Sequence, residues 1–505
     1  MKTIVISILF ILVSVGLCAD GVLPIGAGTE TDPYQIASLD NLLYLSTNNY
    51  LWEEDTYFVQ TADIDAGDTQ NWNDGDHDDN PETPEEPMGF IPIGVIYYNY
   101  FAGNYNGQGY AIDSLYIYRP TDRFIGLFGY TNGAEISNLG VTNTNIEGYH
   151  NVGGLAGIGD YYITNCFSTG FITGHYDSVG GLVGGFFGEM SNCYSDANVL
   201  GIEDSTGGLI GRLGGNVISS YSTGDVTGVL EVGGLAGKSE AYCIITNCFS
   251  TSNVYGQGIV GGLVGLNFHS DINNCYSTGN VMDIPPTTSY NNICGGLVGR
   301  NYQYSEINNS YSIGDVSGRL RIGGLVGDNY NSLVNNCYSI GFVSGTDDVG
   351  GLIGILRQNS EVYNSFWDID TSGQSTSNGG TGKTSYEMQS VVTFTSSGWD
   401  FAWEIENGSD DIWGINGNDN EGYPFFIWQD FQSQTSSPQN ISILETETNI
   451  VLSWDEVYGA ISYKVFSSEI PNSGFTEDTS GFLNGETWSA PLQSSKRFYH
   501  VKAVN

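Results

Sequence analysis

The sequence predicts an all-β fold built around a parallel β-solenoid, and three observations carry that expectation. A phrase of the type Val-Gly-Gly-Leu-Val-Gly recurs through the middle of the chain, with its leucines at Leu127, Leu155, Leu182, Leu209, Leu235, Leu263, Leu297, Leu325 and Leu352. Most steps are 27 or 28 residues, a period at which each unit buries its apolar face only against its neighbours. Within each period Leu, Val, Ile and Cys alternate with polar or glycine positions, which is a strand pattern without helical periodicity. The third observation is the 70 glycines, which allow sharp corners and close approach between rungs.

One repeat has three parts, shown by Val260–Gly265, then Ile272–Ser277, then Gly279–Val281. Three strands of about four to six residues joined by tight turns fill the period. The repeats over 124–366 predict about nine turns stacked in parallel, roughly 4.8 Å apart, a rod of about 40 Å. The parallel-crossover rule predicts a right-handed coil.

Two columns set the register. Cys166, Cys193, Cys248, Cys275 and Cys337 hold one place in the repeat, taken by Ser220, Ser310 and Ser365 in others. A site that accepts Cys or Ser is small and interior, and side chains stacked in register point the same way, a poor geometry for disulfides. The following aromatic (Phe167, Tyr194, Tyr221, Phe249, Tyr276, Tyr311, Tyr338 or Phe366) faces the other way by alternation, outward or towards an adjoining layer.

These phrases resemble the GLUG repeat of bacterial surface and secreted proteins, named for its Gly-Leu-x-Gly core. Gly26–Leu45 resembles that family's opening cap, with a short helix begun by Ser38, and Phe101–Leu115 resembles the rung leading into the first unit. The resemblance implies an extracellular protein. GLUG repeats also accompany some streptococcal immunoglobulin A metallopeptidases, but no HExxH zinc motif occurs here and that activity does not transfer.

The remaining segments divide as follows. Residues 1–19 form a secretory signal peptide, a lysine followed by the apolar run Ile4–Leu12 and small residues. A lipoprotein with acylated Cys18 is the rival reading, against which Leu17 stands where a lipobox wants Gly or Ala. Residues 20–123 form an N-terminal cap and first rungs with an acidic insertion. Residues 367–430 lose the period and hold Trp399, Trp403, Trp413 and Trp428, an aromatic C-terminal cap that covers the open strand edge; a sugar platform is the alternative reading of those rings. A polar linker, 431–437, leads to 438–505. There 451–466 and 498–505 resemble a fibronectin type III domain, with Trp454 as core tryptophan and Tyr499 at the strand-F tyrosine. That resemblance lacks a final strand G before Asn505, which implies either a six-strand variant or a truncated chain.

The chain carries 57 acidic residues against 14 Lys and Arg, a formal net charge of −43. Such charge repels nucleic acid and anionic membrane. Beyond the leader no segment reaches the apolar length of a membrane span. Gly379–Ser385, GGTGKTS, imitates a phosphate loop but has Ser377 where the motif needs glycine. His77, His150, His175, His269 and His500 are scattered, and Asp177, Asp204, Asp225, Asp271 and Asp315 fall among turns. No catalytic motif emerges. The ligand candidate is the acidic run 73–86, in which Asp74, Asp76, Asp78 and Asp79 offer the oxygen-rich spacing that calcium takes. A solvated acidic loop explains the same run.

The functional expectation is a secreted or cell-surface, non-enzymatic, adhesin-like protein whose stiff rod meets an extracellular protein or polysaccharide. The alternatives are a carbohydrate-active enzyme with carboxylates converging on one solenoid face, and a purely structural envelope component.

Overall fold

Coil stacks on coil in parallel register, and each coil is made of very short strands. The computed structural model describes residues 21–72, 87–94, 99–284, 292–402, 407–417, 419–429, 442–446, 448–454, 462–468, 476–484, 487–491 and 498–504. The chain divides into two units, 1–388 and 389–505.

The first unit is the solenoid. One ladder runs through twelve strands, from Tyr34–Ile36 to Glu361–Tyr363, and a second through nine, from Phe128–Tyr130 to Ile353–Arg357. Stacking therefore begins well before the first phrase, and the rod has more turns than the nine that the phrases count. The early rungs, expected within 20–123, lack the phrase, so the phrase count omits them.

The coil from Ile259 shows the construction. Its strands are Ile259–Gly261, Val264–Phe268, Asp271–Asn273, Tyr276–Ser277 and Val281–Asp283. Five pieces of two to five residues replace the three expected strands. Left-handed corners interrupt the extended runs: His269 has φ +50° and Asn274 +54°. Asn tolerates this conformation better than most residues. Asn165, Asn192, Asn247, Asn274, Asn309, Asn336 and Asn364 all hold it, immediately before the Cys/Ser column, and Asn138 holds it before Leu139.

The phrase itself is a packing device. A Cβ on Gly262 would lie 2.0 Å from the Gly296 carbonyl oxygen of the next coil and 3.1 Å from Ser277 Cβ. A Cβ on Gly261 would lie 2.0 Å from the Val264 carbonyl oxygen. The leucine points into the core, where Leu235, Leu263, Leu297 and Leu325 are fully buried. Behind the turn, Ser277 Oγ donates to the Gly296 carbonyl at 2.6 Å, and Ser222 does the same to Gly234 at 2.6 Å.

The Cys/Ser column is buried and its cysteines are free. It is more than a compact apolar ladder, because each side chain also hydrogen-bonds. The Cys248 amide donates to Cys275 Sγ at 3.4 Å, the Cys275 amide to Ser310 Oγ at 3.1 Å, and Cys275 Sγ to the Asn273 carbonyl at 3.1 Å. A thiol or a hydroxyl serves; an apolar residue of the same size does not. Burial pushes the Cys275 thiol well up from its ordinary value, with Cys248 adding to the shift.

The aromatic column stacks face to face from Phe167 to Tyr338, centroids 4.6–5.1 Å apart and planes within 2–7°. Its rings are half-buried as far as Tyr276, while Tyr311 and Tyr338 are buried.

Both ends are closed. At the start, helix Leu39–Thr47 is capped by Ser38, whose Oγ accepts from the Asn41 amide at 3.4 Å, and Leu42 and Leu45 join the core. At the other end Trp367 takes the register position held by Ser339 one coil earlier. Its ring fills the core, and its indole N–H donates to the Gln374 carbonyl at 3.0 Å. Strand Thr381–Lys383 then pairs with Phe366–Asp368.

The second unit contains an aromatic cluster and an antiparallel module. In the cluster Trp399 packs on Trp413 at 4.7 Å and Trp413 on Phe426 at 4.5 Å, and all three are fully buried. The module, among the described residues, pairs Ser442–Glu445, Asn449–Ser453, Thr487–Pro491 and Phe482–Asn484 in one sheet. Thr476–Glu477, Ser462–Ser468 and Phe498–Val504 form the other. Leu452, Trp454, Tyr463, Val465, Trp488 and Val501 form its core.

Candidate functional site

Between residues 124 and 366 the chain has six basic side chains: Arg212, Lys238, Arg300, Arg319, Arg321 and Arg357. The nine-strand ladder gathers four of them. Arg212, Lys238, Leu266, Arg300, Asp328 and Ile355 occupy one register column, and Tyr302, Tyr330 and Arg357 occupy the column two residues along. Arg321 reaches the same place from the strand before the phrase, Leu320–Gly323.

Asp328 is the centre of this cluster. Its side chain is fully buried, and it accepts from Arg300 Nε at 3.0 Å and from Arg357 Nε at 2.9 Å; a second Arg357 nitrogen also donates to it. Arg321 Nη1 stands 3.7 Å from Oδ2, and Arg321 Nε is buried without a hydrogen-bond partner. Three guanidinium groups thus share one carboxylate. Asp348, next to Arg321 in its column, is exposed and lies outside ion-pair distance, so positive charge is in excess even when it is counted.

Aromatic rings extend the cluster. Arg300 lies over Tyr302 at 5.1 Å and Arg357 over Tyr330 at 5.2 Å, with Tyr302 and Tyr330 5.0 Å apart. Phe268 meets Tyr302 at 5.7 Å and His269 at 4.3 Å. His269 in turn meets Tyr242 at 5.3 Å and Tyr304 at 6.0 Å. Tyr242 and Tyr304 are 77% and 74% exposed, and they sit at left-handed corners with φ +62° and +61°. Bulky residues rarely adopt that conformation, and it costs on the order of 1–2 kcal/mol each. His269, Gln303 and Asn331 hold the left-handed corner in successive coils, and Tyr304 follows Gln303 as a second left-handed residue.

A second cluster precedes the first along the same edge. Glu231 accepts from Ser205 Oγ at 2.9 Å; burial raises its pKa to about 7, opposed by Lys238 and assisted by Asp204 and Asp177. Asp204 is also raised, first by burial and then by Asp177, and its Oδ1 is buried without a partner. Lys238 and Arg212 both turn to Glu240, at 3.3 Å and 2.7 Å.

Of the acids that the sequence marked as scattered, Asp177 and Asp204 thus converge, with Glu231, which the sequence reading did not single out. The others tie coils together: Asp225 Oδ1 accepts from Asn253 at 3.1 Å, and Asp315 Oδ1 from the Phe342 amide at 2.8 Å. His175 pairs with Glu147 at 2.6 Å, and His150 bonds the Asp177 carbonyl at 2.8 Å. Trp399 and Trp413 are core, not platform. Lys383 of the loop-like GGTGKTS segment pairs with Glu387 at 3.4 Å, and Glu387 also accepts from the Thr384 amide at 2.9 Å, so the segment closes on itself. An open depression of about 390 Å³ on the early twelve-strand face is lined by Glu30, Tyr57, Asn104, Asn106 and Glu135.

Among the described residues no three His, Cys, Asp or Glu side chains are grouped to hold a metal, and no helix is long and apolar enough to cross a membrane. The calcium candidates Asp74, Asp76, Asp78 and Asp79 lie outside the described residues, as do Trp403, Cys18 and the linker 431–437.

The chain is 33% identical over 155 residues to Halomucin of Haloquadratum walsbyi, matching 30% of this chain and 2% of that protein. It is 34% identical over 169 residues to a Gly-rich membrane protein of Evansella cellulosilytica, covering 33% of this chain and 15% of the relative. Among solved structures an IgA1 protease aligns over 66% of this chain and 21% of its own, with 16% identity and a TM-score of 0.32. The chain thus spans a small part of each of these proteins. Residues 228–255, 256–282 and 291–317 match the GLUG motif, so three coils of the solenoid carry GLUG repeats.

Proposed function

We propose that this protein is an extracellular, cell-surface binding protein of bacterial type, adhesin-like and non-enzymatic, with the solenoid as its stiff presenting element. One observation carries the reading. In a chain of net charge −43, five of the six basic residues between 124 and 366 gather along one ladder and its edge, beside exposed aromatic rings. Such a patch suits a recognition surface as well as a structural one. A relative described as a membrane protein supports the surface location. The two-sheet module with buried Trp454 and the half-buried Tyr499 supports a fibronectin type III-like ending. The run at Asp74, Asp76, Asp78 and Asp79 is its proposed calcium loop.

The test is the full chain on an array of glycans and matrix proteins, with calcium and after chelation, alongside surface labelling of the cells that make it. Binding supports the reading, and binding lost on chelation assigns a role to the acidic loop. A silent array together with unlabelled cells would sink the proposal.

A carbohydrate-active enzyme is the second reading. The carboxyl of Glu231, raised to about 7 beside Asp204 and Asp177, is the kind of group that donates a proton at neutral pH. New reducing ends or unsaturated sugars released from polysaccharides, and abolished by Glu231→Gln, would favour it over the first.

A further inference from the structure

We propose that the corner formed by Tyr242, Tyr304, Tyr302, Tyr330, Arg321 and Arg357 binds a glycan that is largely uncharged and carries an isolated carboxylate-bearing sugar. The inference rests on the surface-binding reading above and supplies its ligand class.

The rings form one continuous surface. Contacts of 4.3–5.7 Å lead from Tyr242 through His269 and Phe268 to Tyr302 and Tyr330, Tyr304 joins at His269, 6.0 Å away, and the arginines lie over Tyr302 and Tyr330. Exposed tyrosine presents a flat apolar face with a polar tip, which suits the alternating C–H faces and hydroxyls of a sugar. Tyr242 and Tyr304 each hold the second of two consecutive left-handed positions, after Ala241 and Gln303, a strained arrangement for a bulky ring. Nothing in the packing demands rings there, since both are about three-quarters exposed. Residues kept against local backbone preference and in solvent point to a ligand.

The arginines define the charge. Three guanidinium groups share Asp328, and Arg321 is the one held most loosely, at 3.7 Å with its Nε unsatisfied. A planar fork with donors to spare fits a carboxylate. Beside the ladder, before the phrase, Asp177, Asp204 and Glu231 gather as an acidic stretch, and the chain as a whole carries −43. A densely charged polyanion would therefore be repelled along most of its length, whereas a glycan with one acidic sugar places its charge where the cations are. The rings select the sugar backbone and the arginines select the acidic residue on it.

The experiment measures binding of the full chain to an oligosaccharide ending in a uronic or sialic acid, to its uncharged parent, and to heparin and duplex DNA. The acidic oligosaccharide should bind about tenfold more tightly than its parent. Arg321→Gln should bring it down to the level of the parent while leaving the parent's binding unchanged. Tyr304→Asn, which relieves the corner, should weaken both oligosaccharides equally with hydrogen exchange in the rod intact. Equal binding of acidic and neutral sugars, preference for heparin or DNA, or indifference to both substitutions would overturn the proposal. So would self-association of the chain that Tyr304→Asn abolishes, since the corner would then be a homotypic interface. If cells or matrix proteins are bound and no glycan is, the ligand class fails and the surface-binding reading stands. If nothing is bound, both fail.

Discussion

Arg321 and Asp328 stand on either side of one copy of the phrase, seven residues apart and 3.7 Å from charge to charge. Three coils earlier Glu231 and Lys238 hold the same two places with their signs exchanged. Register explains this: the phrase fixes a tight corner, so whatever flanks it is brought together on the outside of the rod in every coil. The repeat is rigid where its glycines touch the neighbouring backbone and permissive at the flanks. Charge can therefore be written onto the edge coil by coil without disturbing the core. Two flanking pairs make an acidic stretch followed by a basic one.

Removing the shared carboxylate should cost more than its single charge suggests. Asp328→Asn leaves three guanidinium groups facing one another around a buried amide. Breaking a buried pair in this way destabilises by about 3–5 kcal/mol. In a solenoid the loss is local, so hydrogen exchange should quicken in Val298–Tyr302 and Val326–Tyr330 and not at the helical end. Added salt should shrink the deficit, because the repulsion left behind is partly screened. Unchanged protection in both strands would contradict it.

Glu231 gives the rod a pH dependence of definite sign. Its carboxyl is raised from 4.5 to about 7 in the folded chain, first by burial. Between those values the folded chain keeps a proton that the unfolded chain has released, so stability falls as pH rises through the window. Below the ordinary carboxyl range the penalty is absent. With solvent screening of this half-buried group the change is on the order of 2 kcal/mol. Thermal midpoints of the wild type and Glu231→Gln should converge at pH 4 and separate by pH 8, the variant being the more stable. Parallel curves would exclude Glu231 as the source.

The Cys/Ser column separates hydrogen bonding from volume. Cys275→Ser should be nearly neutral, since Ser310 and Ser365 fill the same place in other coils. Cys275→Ala removes the acceptor of the Cys248 amide, a buried donor, and should cost about 1–3 kcal/mol. A urea series on the two variants distinguishes them. The folded protein should also leave thiol reagents unreacted, because the described cysteines are buried and burial raises the thiols at Cys166, Cys243, Cys275, Cys294 and Cys337.

The core was legible in the sequence because it repeats. The alternation of Cys, aromatic and Ser placed interior and exterior correctly, and Ser38 announced its helix. The edge was not legible, because function sits where the repeat varies. Arg300, Asp328, Tyr302 and Tyr330 occupy variable positions after the phrase, and only stacking shows that they meet. The buried asparagine ladder hid in the same place. Asn267 Nδ2 donates to Asn301 at 2.9 Å and Asn301 to Asn329 at 3.0 Å, yet each reads as one polar residue beyond a glycine. Trp367 was missed for the opposite reason. Its neighbours Ser365 and Phe366 continue the repeat, so a tryptophan in place of the usual serine passed as part of an aperiodic tail.

That tryptophan supports the last prediction. Its ring stands where Ser339 stands one coil before, and a Cβ on Gly351 would lie 2.0 Å from it, so it closes the core against the glycine corner. Trp367→Ser restores the residue that the repeat uses and removes the plug. The strand above offers only Gly382 opposite it, so the substitution opens a cavity and should cost about 3–5 kcal/mol locally. Protease cleavage should move to 369–383 and hydrogen exchange should quicken from Phe366–Asp368 downwards, fading over one or two coils as nearest-neighbour stacking dictates. Trp367→Phe, which keeps most of the volume, should recover most of the protection. If serine were tolerated as well as phenylalanine, the last coil would be held by its strand pairing alone, and the ring would have no part in closing the rod.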